Sequence, residues 1–173
     1  MGYGLPASIG ACFANEKKRI ICAHGEGGLE MNIQELQTIV QYNLPIKLFV
    51  FNNQGYLSIK HTQSAYFNGF FVGSDPASGV SCPDTLKIAR AYGIASLRIK
   101  NHKEMNTKIK RALKVNGPVL VDVVLDPMQP FMPRVTSERR PDGTFVSKPL
   151  EDMYPFLERK EFLSNMIVKP AGE

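Results

Sequence analysis

The chain has 173 residues, 43% of them hydrophobic and 21% charged, with a formal net charge of +5, a balance that fits one globular domain with a real core. Its basic residues are scattered over 17–19, 100–114 and 139–140, and none is interleaved with aromatic side chains as a nucleic-acid stacking platform requires. No apolar run approaches the roughly 18 residues of a membrane helix, so neither nucleic acid nor a membrane is an expected partner.

Residues 5–14 (LPASIGACFA) read as a buried helix with Pro6 in its first turn. Gly10 reads as a point of close packing against a neighbour. Residues 19–23 form a short buried strand that runs into a glycine turn at Gly25-Glu26-Gly27-Gly28. Asn32-Ile33-Gln34-Glu35 looks like a capping box. It opens a helix with Ile33, Leu36, Ile39 and Val40 at helical spacing, ending near Asn43. Residues 46–51 (IKLFVF) are more apolar than an alternating strand, which predicts a parallel strand covered on both faces. From 54 to 82 no period persists, and a segment of that length is expected to be a functional or mobile loop. A helix at 83–92 ends at Gly93. A strand at 95–99, a basic amphipathic helix at 103–114 and an apolar strand at 118–125 follow.

Strand and helix thus alternate from 19 to 125. The expected fold class is α/β, a parallel sheet with helices on both faces. In such sheets ligands sit beyond the carboxyl ends of the strands. After residue 125 the chain is punctuated by Pro127, Pro130, Pro133, Pro141, Pro149 and Pro155. The expected organisation is a domain over 1–125 and an irregular Pro-rich C-terminal tail over 126–173, packing on that domain or on a partner, with a short helix-like piece at 157–166. Cys12, Cys22 and Cys82 form no C-x-x-C pair and read as free thiols in a reducing compartment. No basic region precedes the first apolar stretch, so it does not read as a signal peptide, and the expected location is cytoplasmic.

Two elements carry chemistry. Glu26 lies in the glycine turn, and Asn52-Asn53 lies at the end of the next strand, about one helix and one strand further on. A carboxylate and an amide oxygen at neighbouring strand ends, beside exposed glycine N–H groups, suit a hard divalent cation held against a diphosphate. A dinucleotide fingerprint fits poorly: Glu30 stands where G-x-G-x-x-G needs its third glycine, and no acid follows the next strand. No P-loop is present. His24, His61 and His102 have no spacing partner for a metal. His61, in the long loop, is a candidate substrate contact, and Glu35 reads as a capping residue.

The order of these motifs resembles the thiamine diphosphate-dependent enzymes, whose signature is G-D-G followed by about two dozen residues and N-N. The likeness is greatest to their acetolactate synthase-like branch. Met1-Gly2-Tyr3-Gly4-Leu5-Pro6-Ala7-Ser8-Ile9-Gly10-Ala11 looks like that branch's M-G-F-G-L-P-A-A-I-G-A, and Asn32-Ile33-Gln34-Glu35-Leu36 like its N-x-Q-E-L. Asn43-Leu44-Pro45 and Asn52-Asn53 fall in register as well, so the resemblance runs from Met1 to about Leu125.

By that resemblance the cofactors are thiamine diphosphate and Mg²⁺. Glu26, the Asn53 side chain and the Gly55 carbonyl would ligate the metal. Gly25, Gly27 and Gly28 would bring N–H groups to the diphosphate at the start of the Asn32 helix, and Met1 would hold the aminopyrimidine ring through its backbone; Tyr56, after Gly55, is expected either to pack at the cofactor or to fill core. The chemistry implied is decarboxylation of a small 2-oxo acid such as pyruvate, with transfer of the acyl-anion equivalent to an acceptor, in a homo-oligomer. Three features depart from the pattern. The family's Asp is Glu26 here. The chain begins inside the motif region, so the domain is expected to be truncated at its N-terminus. The family's catalytic glutamate belongs to a separate pyrimidine-binding domain that nothing here matches, so no catalytic residue is assigned and the chain alone is expected to be inactive. A pyrimidine-binding domain or subunit is the expected partner. The stretch Gln54-Gly55-Tyr56-Leu57-Ser58-Ile59 also differs from the Q-H-L-G-M of biosynthetic acetolactate synthases, leaving the acceptor open, a keto sugar included. A non-catalytic homologue and a stand-alone cofactor-binding subunit of a split enzyme are the alternatives.

Overall fold

The computed structural model describes residues 1–168 and 170. Four strands, β1 (Ile20–Gly25), β2 (Ile46–Asn52), β3 (Ala95–Ile99) and β4 (Val119–Val124), form a parallel sheet in the spatial order β1-β2-β4-β3. Side chains alternate across a strand, and here both sides find apolar cover. Leu48, Val50 and Leu120 pack with α1 (Gly4–Ala14), α2 (Glu26–Glu30), α3 (Glu35–Gln41) and α5 (Thr85–Ala91). Val119, Val121 and Ile99 pack with α6 (His102–Lys114) through Ala112, Met105 and Ile109. The chain moves one way across the sheet from β1 to β3 and reverses from β3 to β4. A right-handed crossover in the reverse direction places its helix, α6, on the opposite face.

The cover is incomplete at β1. Residues 19–23 read as a buried strand, yet Ile21 is 60% exposed. The contacts of α6 run to β3, and its cluster holds no β1 residue, so Ile21 and Ala23 on one face of the edge strand stay exposed. Gly10 is exposed too, and a Cβ there would meet nothing within 4 Å. The close packing expected of it is absent, because α1 buries the opposite stripe of Leu5, Ser8, Ile9 and Cys12.

Three local expectations are corrected. The glycine turn is itself helical, since α2 begins at Glu26 directly after β1. The capping box does not form: α3 starts at Glu35 with Gln34 as an N-cap whose side chain accepts no N–H of the helix. The Asn32 amide instead donates to the Gly2 carbonyl at 2.7 Å, and Glu35 Oε2 accepts from Thr38 Oγ1. The presumed loop after residue 54 contains α4 (Leu57–Tyr66). Periodicity missed it because one of its two buried side chains is Lys60, so the helix has no apolar stripe to read.

Two compact units are present, residues 1–129 and 130–173. In the second, β5 (Ser137–Arg139) and β6 (Phe145–Ser147) form an antiparallel hairpin, and α7 (Arg159–Asn165) is capped by the Glu158 carboxylate. The stretch expected to be irregular therefore has regular elements. Pro141-Asp142-Gly143 between the strands is a turn signature, and Asp142 accepts from the Thr144 N–H at 2.9 Å. The buried Asp152 anchors the unit by pairing with Arg159 at 2.9 Å. Among the described residues no helix is long and apolar enough to cross a membrane.

Candidate functional site

All four strands point the same way, so their carboxyl ends share one edge. The register pairs Gly25 with Phe51 and Asn52 with Val124. Continued by one residue, it sets Glu26, the residue after β1, opposite Asn52, the last residue of β2, with Asn53 next in the chain. A cleft of about 540 Å³ opens on this edge, lined among others by Glu26, Gln54, Cys82, Asp84, Arg98 and Lys100.

Glu26 is 2% exposed. Its Oε1 accepts the Gly55 N–H at 2.6 Å. Burial pushes its carboxyl above the usual range. The Gly55 N–H and a hydrogen bond from the Cys82 thiol pull the other way, and the carboxylates of Asp122 and Glu30 push it further up. The Cys82 thiol is pushed up to about 12 by burial and by its contacts with Glu30 and Glu26, so it stays a thiol and not a nucleophile at neutral pH. Asp122 is fully buried on β4. One of its oxygens is held by the Arg98 guanidinium, which also pairs with Asp84 at 3.0 Å, and the other has no partner. Asn53 Oδ1 and Glu30 Oε1 are likewise buried without partners.

These observations decide how well a cation fits. A concentration of negative oxygen is buried at a strand edge, where an uncompensated charge is costly. An amide oxygen there lacks the donor that buried polar groups normally have. One carboxylate with neutral oxygens is the donor set that suits Mg²⁺ when a diphosphate supplies the rest. Among the described residues no group of three or more His, Cys, Asp or Glu side chains could hold a metal by itself, so a transition-metal cage is not what these residues build.

The glycines have local reasons. A Cβ on Gly27 would lie 2.0 Å from the Tyr56 ring, and one on Gly28 would lie 2.5 Å from the His24 ring. Both rings rest directly on the helix backbone. A Cβ on Gly25 would meet nothing within 4 Å. Gly55 has φ +147°, and a Cβ there would lie 2.2 Å from the Ser74 carbonyl oxygen. The first N–H groups of α2 have no partner within the helix, as at every helix start, and no side-chain cap supplies one. Gly2 is tied to this region by Asn32, while Met1 is 74% exposed. The structure thus brings Glu26, Gly27, Gly28, Asn53, Gly55 and Tyr56 together.

Four contributors escaped the sequence reading. Glu30 sits one turn after Glu26 on the same helix face, and Asp122 is a lone charge in an otherwise apolar strand, so both carried a signal. His24 and Cys82 carried none, because only the fold brings the His24 ring onto Gly28 and the thiol onto Glu26. His61 Nε2 lies 3.1 Å from the Gln129 carbonyl oxygen.

Comparison with known proteins bears on the family and the fold. The profile described as "Thiamine pyrophosphate enzyme, C-terminal TPP binding domain" matches residues 1–123. The chain is 42% identical over 125 residues to the acetolactate synthase large subunit of Cyanidium caldarium, covering 72% of this chain and 21% of that protein. It is 33% identical over 135 residues to the mitochondrial acetolactate synthase catalytic subunit of Saccharomyces cerevisiae, covering 78% and 19%. It therefore spans about a fifth of the length of these relatives. The thiamine diphosphate-dependent 4-hydroxybenzoylformate decarboxylase of Rhodococcus jostii RHA1 superposes with a TM-score of 0.65 at 27% identity, over 73% of this chain and 23% of that one. This chain belongs to the thiamine pyrophosphate enzyme family, in its acetolactate synthase-like branch, and carries that family's C-terminal cofactor-binding domain.

Proposed function

We propose that the carboxyl edge of the sheet holds thiamine diphosphate through Mg²⁺, with the Glu26 carboxylate, the Asn53 amide oxygen and the Gly55 carbonyl as the protein's ligands. The observation that carries this reading is the partnerless, buried Asn53 Oδ1 at the strand end that follows β2, together with a Glu26 whose carboxyl is pushed up by burial and further by Asp122 and Glu30. A divalent cation supplies both what the amide lacks and what the carboxylates need. Gly25, Gly27 and Gly28 would offer N–H groups to the diphosphate at the start of α2, and the Met1 backbone would meet the aminopyrimidine ring. Tyr56 walls the site from Gly27.

When bound, the cofactor supplies the electron sink for cleaving a 2-oxo acid next to its carbonyl. This chain's share is to bind and orient the diphosphate end and to exclude water around it. The half-buried Cys82 thiol and the Arg98 guanidinium, paired with Asp122 behind it, line the cleft. In the whole protein we assign decarboxylation of a pyruvate-like 2-oxo acid and transfer of the acyl unit to an acceptor. A pyrimidine-binding domain or a partner subunit would complete the site.

Calorimetric titration of thiamine diphosphate with Mg²⁺ into the full-length protein tests the reading. A saturable, Mg²⁺-dependent heat that Glu26→Ala removes is the expected result. No heat from the native protein, with heat restored by Glu26→Asp, would instead favour a non-catalytic homologue. The 2.6 Å bond that occupies Glu26 Oε1 is the observation on that side.

A further inference from the structure

The Lys60 ammonium is buried, 4% exposed, on a helix whose other buried side chain is Leu57. Three segments converge on it. It arises from α4, one turn beyond Tyr56, whose carbonyl accepts the Lys60 N–H at 3.0 Å. It lies 3.3 Å from Asp75 Oδ2 and 3.3 Å from the carbonyl oxygen of Pro127, which follows β4. The Phe71 ring lies 5.8 Å away. Asp75 divides its two oxygens. Oδ1 accepts from the Ser78 N–H and hydroxyl at 2.9 and 2.7 Å, closing a single 3₁₀ turn at Pro76–Ser78, and Oδ2 is left for Lys60.

The residue beside Asp75 touches the site. The Ser74 carbonyl accepts the Tyr56 N–H at 2.8 Å and occupies the space where Gly55 has no Cβ. Gly55 is thus held from two sides: Glu26 takes its N–H, and the Ser74–Asp75 backbone lies against its Cα. Among the described residues, Lys60 is the charged side chain that fixes the far side of Ser74–Asp75 to α4.

We infer that Lys60 and Asp75 form a positioning pair that seats the Ser74 carbonyl on Tyr56 and so sets the direction of the Gly55 carbonyl toward the metal. The inference rests on the metal reading above. Lys60 touches neither cofactor nor substrate, and it acts through Asp75, Ser74 and Tyr56 in turn. Outer partners of metal ligands typically change metal affinity about 10- to 100-fold when removed, and that is the range expected here.

The test uses the full-length protein with Lys60→Met, Lys60→Arg and Asp75→Asn. Met fills the volume without the charge. Asn keeps an oxygen for the Ser78 turn and removes only the charge facing Lys60. Hydrogen exchange read on a peptide spanning Gly55 and Tyr56, with no metal or cofactor present, is expected to quicken in Lys60→Met and Asp75→Asn, while peptides from β2 keep native protection and Lys60→Arg stays close to native. Mn²⁺ binding in the presence of thiamine diphosphate, followed by electron paramagnetic resonance, is expected to weaken at least about 10-fold in the first two variants and to recover in Lys60→Arg. The rate at saturating metal should be retained. Native exchange at Gly55 and Tyr56 in both charge-removing variants overturns the positioning pair. Native Mn²⁺ affinity alongside faster exchange overturns its link to the metal. Failure of the unsubstituted protein to bind Mn²⁺ overturns the metal reading itself, which the exchange measurement does not depend on.

Discussion

Gly27→Ala is the sharpest probe of how the site is packed. In an unobstructed helix interior the change would stabilise by about 1 kcal/mol, because Gly is the poorer helix former. At Gly27 the new Cβ would lie 2.0 Å from Tyr56 Cε1 and 2.5 Å from Cδ1. Ordinary carbon contacts begin near 3.5 Å, so the ring would have to retreat by about 1.5 Å. Overpacking of this kind costs about 1–3 kcal/mol. The two effects oppose each other, and the net expectation is a loss of up to about 2 kcal/mol. Removing the ring by Tyr56→Ala takes away the clash, so Gly27→Ala in that background should stabilise by about 1 kcal/mol. Urea unfolding of the four proteins closes a double-mutant cycle whose coupling energy should be about 1–3 kcal/mol. A coupling near zero would show that Tyr56 does not rest on Gly27, and the account of why glycine stands there would be wrong.

Glu26→Gln separates stability from binding. Burial raises the Glu26 carboxyl in the folded chain, so the stability it contributes is complete below the ordinary carboxylate pKa and is lost as pH rises through the raised value. Without metal, Glu26→Gln should therefore be more stable than the native protein at neutral pH and should show a flatter stability profile from acid to neutral. A variant less stable at pH 7 in metal-free buffer would refute the burial argument. Asn53→Leu should behave similarly. It removes a buried oxygen that has no partner, stabilising the metal-free chain by about 1 kcal/mol while abolishing Mg²⁺-dependent cofactor binding. Urea midpoints and calorimetry read the two effects separately, and an unaltered affinity for cofactor would remove Asn53 from the ligand set.

Much of this domain is legible without coordinates. Strands β1, β2 and β4 are largely apolar runs, and α3, α5 and α6 carry apolar residues at helical spacing, so alternation and sheet type follow from local chemistry. The motif residues Glu26, Asn53 and Gly55 stand at strand ends that the register then sets side by side. Local chemistry also misled. Asn32 and Glu35 have the spacing of a capping box, but the Asn32 amide is drawn to the Gly2 carbonyl instead, and a contact between residues so far apart in the chain outcompetes the local one. Helix α4 stayed hidden because the side chain that anchors it is a lysine.

The sequence by itself determined the class of sheet, the ends at which a ligand would sit and the residue types offered there, since these depend on periodicity and spacing along the chain. Only the tertiary structure decided that Glu26 is buried among Glu30, Asp122 and Cys82, that Asn53 lacks a partner and that Lys60 faces Asp75. Burial and charge proximity arise from segments distant in sequence. No spacing rule contains them, yet they set how negative oxygen is concentrated at this glycine-framed edge.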